Sequence, residues 1–244
     1  MNAPSDMQSA PFISIIIPAL NEEAEIGATI ECARCPSIQH EIIVVDGGST
    51  DDTKRISERA GCRVIETRRR QRASQMNRGA ETARGDVLLF LHADTHLAPG
   101  ALPAIRDALR DPRVVGGAFV RRYNSPSRVL AWTCRLATLR NRLLGWHLGD
   151  QAIFVRGDVF QRCGPFAEVD QFEDLDFSRR LARCGRLVTL RPPVVSAARR
   201  FSKSGPILQT LRDCLLTCRY LLRRLPPASV PNEAAVSRRL PAHR

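Results

Sequence analysis

Residues 41–53 read EIIVVDGGSTDDT. An apolar run, residues 42–45, stops at the carboxylate of Asp46, and two glycines and a Ser-Thr-Asp-Asp run follow. A short apolar run bounded by turn residues reads as a buried strand. The run STDDTKRISERA then reads as a helix opened by Ser49, with Asp52 three residues on as in a capping box. The same alternation extends both ways. Upstream, FISIIIP (12–18) is a strand, and NEEAEIGATIECA a helix with Asn21 as N-cap and acids in its first turn. Downstream come the strand CRVIET, the helix ASQMNRGAETA ending near Gly85, and the strand DVLLFLHAD (86–94), which again closes on a carboxylate. Pro99 and Gly100 open the helix ALPAIRDALR. Strands alternating with helices at this pace predict βαβ units, hence an α/β domain with a mostly parallel central sheet flanked by helices.

Beyond residue 113 the rhythm changes. VVGGAFVRRY is a strand, SPSRVLAWTCRLATLRNRLLGW a long basic segment, and QAIFVRGDVFQRCGPF a strand, turn and short helix. FEDLDFSRRLARCG reads as a helix, RLVTL as a strand and GPILQTLRDCLLTCRYLLRRL as a last helix. Residues 1–11 read as a flexible N-terminus, and 226–244, which lack a core pattern, as a disordered tail.

The 244 residues carry 37 Lys and Arg against 25 Asp and Glu, a net charge of +12, which favours anionic partners. A nucleic-acid-binding domain has only this charge in its favour: aromatics are 5% of the chain and no recognition motif appears, so no nucleic acid is expected. The eight cysteines form no dense disulfide framework and no zinc-spaced pair of CxxC motifs. Most read as reduced core thiols, which suits a cytoplasmic protein. The N-terminus lacks the pattern of a signal peptide, and no apolar run is long enough to span a bilayer.

In open α/β sheets ligands bind beyond the carboxyl ends of the strands. Pro18, Asp46 and Asp94 close the candidate strands there. A carboxylate at Asp46 can accept from an N–H or O–H of a base or sugar. Gly47 and Gly48 permit a tight turn and close approach, and Ser49 begins a helix whose free N–H groups suit an anion. The plainer reading is that Asp46 only caps its turn. A G-x-G-x-x-G fingerprint and a Walker A motif are both absent, which weighs against dinucleotide and P-loop enzymes.

The motifs SIIIPALNEE, EIIVVDGGSTDDT, LLFLHADT and FEDLDFSRRL, in that order, closely resemble family 2 glycosyltransferases of the GT-A fold. GDQAIFVRGDVF, ASQMNRGA and SAARRF resemble a bacterial subgroup of these enzymes. The resemblance covers residues 12–225 and implies a nucleotide-sugar half (12–112) and an acceptor half (113–225). It implies that Pro18, Ala19, Asn21 and Glu22 line the nucleoside pocket with Gly48 and Ser49. Asp46 would meet the uracil ring, and Arg72 would lie near base and phosphates. Asp94 matches the last acid of the family's D-x-D motif, which meets ribose and a divalent metal, Mg²⁺ or Mn²⁺, bridging the diphosphate. His92 stands where the first acid is common and reads more simply as a histidine satisfied at a strand end.

Of the acids Glu173 and Asp174, the second matches the catalytic base, although acids at a helix start also serve the dipole. Asp150 and Gln151 would border the acceptor cleft, and Arg199 and Arg200 resemble a loop covering the leaving diphosphate. The implied activity is inverting transfer from a UDP-sugar to an unidentified acceptor. Two alternatives stay open: a nucleotide-sugar-binding protein without turnover, which His92 supports, and a nucleotidyltransferase. PALNEE stands where the latter would carry a glycine-rich basic loop. The basic amphipathic segments 127–144 and 207–225 fit partial packing on the core, and also peripheral contact with an anionic membrane on its inner face. A lipid-linked acceptor is compatible with the latter.

Overall fold

Strand β1 (Ile13–Ala19) is buried along its whole length, as expected of a parallel strand covered on both faces. Its isoleucines alternate between two cores. Ile13, Ile15 and Ile17 face a cluster with Ile26, Ile30, Leu102 and Ile105. Ile16 faces the other side, with Met76, Phe90, Phe160 and Phe177. This period of two is the pleat of the strand itself.

The structure is a computed structural model that describes residues 11–169, 171–198, 201 and 205–222. Its further strands are β2 (His40–Asp46), β3 (Arg63–Glu66), β4 (Val87–Phe90), β5 (Thr95–His96), β6 (Val114–Tyr123), β7 (Ile153–Arg156) and β8 (Arg186–Ser196). Its helices are α1 (Ile26–Ala33), α2 (Thr53–Arg59), α3 (Arg72–Thr82), α4 (Ala101–Ala108), α5 (Arg128–Leu144), α6 (Gly157–Cys163), α7 (Glu173–Cys184) and α8 (Pro206–Leu222). The strands form one sheet in the order β3-β2-β1-β4-β7-β6-β8-β5. β3, β2, β1 and β4 run parallel; β7 runs against both β4 and β6, and β5 against β8. The expected mostly parallel sheet is thus present, with α1 and α4 on one face and α3, α6 and α7 on the other.

Several local expectations need correction. α1 begins at Ile26, not at Asn21, and Asn21 instead adopts a left-handed conformation with φ 53°. α2 begins at Thr53 with Asp52 in the N-cap position, so Ser49 is not its cap. α3 stops at Thr82, short of Gly85. β4 ends at Phe90, which leaves Asp94 in the turn between β4 and β5 rather than at a strand end. β8 runs on past RLVTL to Ser196 because it pairs along most of β6. The cysteines are all unpaired: Cys134 and Cys163 are buried and Cys35, Cys62 and Cys184 pack partly buried against the core, whereas Cys32, Cys214 and Cys218 are exposed. For Cys214 and Cys218 the reason lies in α8, whose apolar stripe faces outward and carries them with it. Among the described residues no helix is long and apolar enough to cross a membrane. The expected flexible start and disordered tail lie, but for Pro11, outside the described residues.

Candidate active site

Two loops leave adjacent parallel strands at their carboxyl ends and brace each other. Ala19 and Asp46 are register partners, and the Ala19 carbonyl accepts the Gly47 N–H at 2.9 Å. The Asn21 N–H donates to Ser49 Oγ at 2.9 Å, and Asn21 Oδ1 accepts the Thr50 N–H at 2.8 Å. The Glu22 N–H donates to Thr53 Oγ1 at 2.7 Å. Pro18 and Ala19 have buried side chains, so what they offer a ligand is backbone shape. Between the strand ends the buried carboxylate of Asp46 holds the turn. Its Oδ2 accepts the N–H groups of Gly48 at 3.0 Å and Ser49 at 2.9 Å, and its Oδ1 accepts the Ser49 hydroxyl. Asp46 therefore does cap its turn. A carboxylate has about four acceptor sites, so room is left for one further donor.

The two glycines of this turn are needed for different reasons. Gly48 has φ 87°, which favours glycine. A Cβ on Gly47 would lie 2.1 Å from Nε2 of Gln75, a buried residue of α3. Sequence reasoning did not single out Gln75; it lies in a helix whose register with the turn only the packing reveals. Beside the turn, a cleft of about 410 Å³ is lined by Gly47, Gly48, Glu66, Thr67, Arg68 and Arg70. A second, of about 470 Å³, is lined by Arg70, Arg72, Val169 and Glu173 among others. Arg70 lines both, so the clefts lie on either side of it, one by the glycine turn and one by the start of α7.

That start carries three acids with three different partners. Glu173 is buried and bonds Arg72 at the opening of α3, with Arg72 Nε 2.6 Å from its Oε1. Asp174 is buried too; its Oδ2 accepts the Gly149 N–H at 2.6 Å and its Oδ1 the Leu175 N–H at 2.7 Å. Asp176 turns inward to a buried ion pair with Arg180, 2.9 Å away, whose other donors hold the carbonyls of Cys163, Gly164 and Pro165. Burial raises the pKa of Asp174, and the negative charge of Glu173 adds to it, outweighing Arg72. Burial acts against the Arg72 charge, but the carboxylates of Glu173 and Asp174 prevail and raise its pKa.

Gly149 joins this acid to the strand ends. A Cβ there would lie 2.5 Å from His92 Nε2 and 3.3 Å from Asp174 Oδ2. His92 thus abuts the residue that holds Asp174. Asp94 is two residues on, and its carbonyl accepts the Ala197 N–H at 3.1 Å, tying the turn to the end of β8. Among the described residues no three His, Cys, Asp or Glu side chains gather as a metal cage. Asp94, with His92 near it, suits only an ion whose remaining ligands come from substrate oxygens; Mg²⁺ characteristically binds that way.

The other expected residues divide. The Asp150 carboxylate accepts from buried Arg121, and from the Tyr123 hydroxyl at 3.3 Å, both on β6. Gln151 is wholly buried: its Oε1 accepts the Leu148 N–H at 3.0 Å and its Nε2 donates to the Phe119 carbonyl. It shapes the turn that presents Gly149 and does not face the cleft. Arg199 and Arg200 lie outside the described residues.

Comparison with known proteins identifies the family and the fold. Residues 14–160 match the family model described as glycosyl transferase family 2. A PGL/p-HBAD biosynthesis glycosyltransferase of Mycobacterium bovis (strain BCG / Pasteur 1173P2) is 32% identical over 231 residues, 89% of this chain and 85% of that protein. An undecaprenyl-phosphate 4-deoxy-4-formamido-L-arabinose transferase of Edwardsiella ictaluri is 30% identical over 115 residues, 43% of this chain and 35% of that protein. Among solved structures, glucosyl-3-phosphoglycerate synthase of Mycobacterium tuberculosis in complex with Mn²⁺, UDP and glucosyl-3-phosphoglycerate has the same fold. Its TM-score is 0.57 at 21% identity, covering 81% of this chain and 76% of that one.

Proposed function

Because the chain belongs to glycosyl transferase family 2 and is a transferase of GT-A fold, we propose that it moves a sugar from UDP to an acceptor hydroxyl by a single inverting displacement. The observation that carries the reading is the meeting of Glu173 and Asp174 with Arg72, Gly149 and the turn after β4, at the carboxyl edge of the parallel strands. The donor occupies residues 12–112, along Asn21, Glu22, Asp46, Gly48, Ser49 and Arg72. The acceptor enters over 113–225, beside Asp150 and Asp174. Asp174 takes the acceptor proton, the freed oxygen bonds the anomeric carbon, and the bond from that carbon to the diphosphate oxygen breaks, its electron pair leaving with UDP. Glu173 holds Arg72 toward the leaving group, and Arg199 and Arg200 add charge there. Asp94 with the diphosphate would hold Mg²⁺ or Mn²⁺, which supplies countercharge to the leaving diphosphate. The Mn²⁺ and UDP of the synthase complex support this donor and ion, and the undecaprenyl-phosphate relative supports a lipid-linked acceptor.

Donor binding is tested at the opening motif. Asp46→Ala removes the acceptor of three turn donors and one ligand donor, so UDP binding weakens by roughly 1–3 kcal/mol. Calorimetry giving equal affinities for the two proteins would take Asp46 out of the pocket.

The acid pair is tested by pH. A base acts when deprotonated, so kcat/KM rises as pH climbs through the raised pKa of Asp174. Glu173→Gln removes the neighbouring negative charge and leaves Arg72 to favour the carboxylate, so the acid limb moves to lower pH. An acid limb that stays in place, whatever the change in rate, would assign that limb to another group.

A further inference from the structure

Two helices expose more apolar surface than the fold uses. On α5, Trp132, Leu136, Leu139 and Leu143 stand on one face and are 54–72% exposed. The opposite face, with Leu130, Cys134, Ala137 and Asn141, packs inward. On α8, Ile207, Leu208, Leu211 and Leu215 are 61–63% exposed and Leu222 80%. The two helices touch each other. Single apolar side chains on a surface are ordinary, but whole apolar stripes exposed on two helices in contact mark a contact site. Its edges are basic. Arg128, Arg135 and Arg142 run along one side of the α5 stripe, and Arg212 and Arg219 beside that of α8. α5 has no acid, and the described part of α8 has Asp213 alone.

We propose that the exposed faces of α5 and α8 dock the protein on an anionic lipid bilayer. Apolar stripes bordered by arginines suit insertion into the headgroup boundary of anionic lipid, and Trp132 at the stripe suits that interface. A second copy fits less well, since apposing two such faces brings rows of arginine together and like charges oppose the contact. The face of α8 turned away from this stripe adjoins the acid pair. Tyr220 of α8 stacks on Phe172, ring centroids 4.9 Å apart and planes 26° apart, and Phe172 directly precedes Glu173 and Asp174. Its bearing on a lipid-linked acceptor rests on the transferase reading above; the docking itself does not.

The test is co-sedimentation of the full chain with vesicles of phosphatidylcholine, with and without phosphatidylglycerol. Binding is expected to require phosphatidylglycerol, to fall as salt rises, and to shift Trp132 emission to the blue, with Trp132→Phe as control. The double variant Leu136→Asp, Leu211→Asp lowers the bound partition roughly tenfold or more, with melting temperature and UDP affinity unchanged. No binding at low salt, or binding that the double variant leaves intact, overturns the proposal. So does a wild-type dimer that the same variant splits in sedimentation equilibrium, since a second copy then covers the face. Docking that persists while UDP fails to bind would instead break the donor assignment.

Discussion

Asp174→Asn keeps the fold and UDP affinity and lowers sugar transfer by roughly 10²–10⁴-fold, the usual contribution of a general base. The geometry explains why this substitution is informative. The carboxylate is fixed from both sides, Oδ2 by the Gly149 N–H and Oδ1 by the Leu175 N–H. An amide can accept only one of these bonds, and its NH₂ then faces the other donor, which costs about 1–3 kcal/mol if that donor is left unmatched. Against this, the amide carries no charge, so the burial penalty and the repulsion from Glu173 that raise the Asp174 pKa both vanish. The two effects oppose, and the variant is expected to melt near the parent. An unchanged transfer rate in Asp174→Asn beside a dead Glu173→Gln would exchange the roles within the pair. If both variants turn over normally on the true acceptor, the base lies elsewhere.

What could be read from the sequence follows a physical division. Apolar runs such as SIIIP and EIIVVD are local signals; β1 and β2 stand where the runs do because burial on both faces leaves no other use for them. Caps are also local patterns, yet neither Asn21 nor Ser49 caps the helix that follows it. Here the loops after β1 and β2 bond each other and not their own helices: Ser49 Oγ serves Asp46 and the Asn21 N–H, and Asn21 Oδ1 serves Thr50. The acid pair was visible as FED, but which acid met which partner was not. That sorting depends on Arg72 and Gly149, 101 and 25 residues away in sequence from Glu173 and Asp174 respectively. Gln75 lies within ASQMNRGA, but neither that stretch nor the run around Arg121 tells what these side chains meet; their part appears only once α3 reaches Gly47 and β6 reaches Asp150. The basic amphipathic helices were legible as stripes, but whether a stripe faces core or solvent is set by tertiary packing. α5 buries one face and α8 exposes most of its leucines.

Removal of divalent metal is expected to lower transfer by roughly 10²-fold or more, with Mn²⁺ or Mg²⁺ restoring it, because countercharge at a departing diphosphate is worth several kcal/mol. The cation inventory of the clefts supports the need. Arg72 is already committed to Glu173, and Arg68 and Arg70 line the clefts beside Glu66 and Glu173. The protein's own ligand set makes the prediction more specific. No cage of three His, Cys, Asp or Glu side chains exists among the described residues, so a metal held by Asp94 would need phosphate oxygens to complete its shell. Mn²⁺ should therefore bind weakly to the free protein and much more tightly with UDP, and UDP should gain the same factor from Mn²⁺, as linkage requires. Asp94→Ala should lose that coupling and most of the transfer activity. His92→Ala should keep much of both if the imidazole serves only to pack against Gly149, where a side chain has no room. Titration of Mn²⁺ by electron paramagnetic resonance, with and without UDP, reads the coupling apart from turnover. Tight Mn²⁺ binding without nucleotide would contradict the one-carboxylate site. Full activity in chelator would leave the charge of the diphosphate to Arg70, Arg72, Arg199 and Arg200 alone.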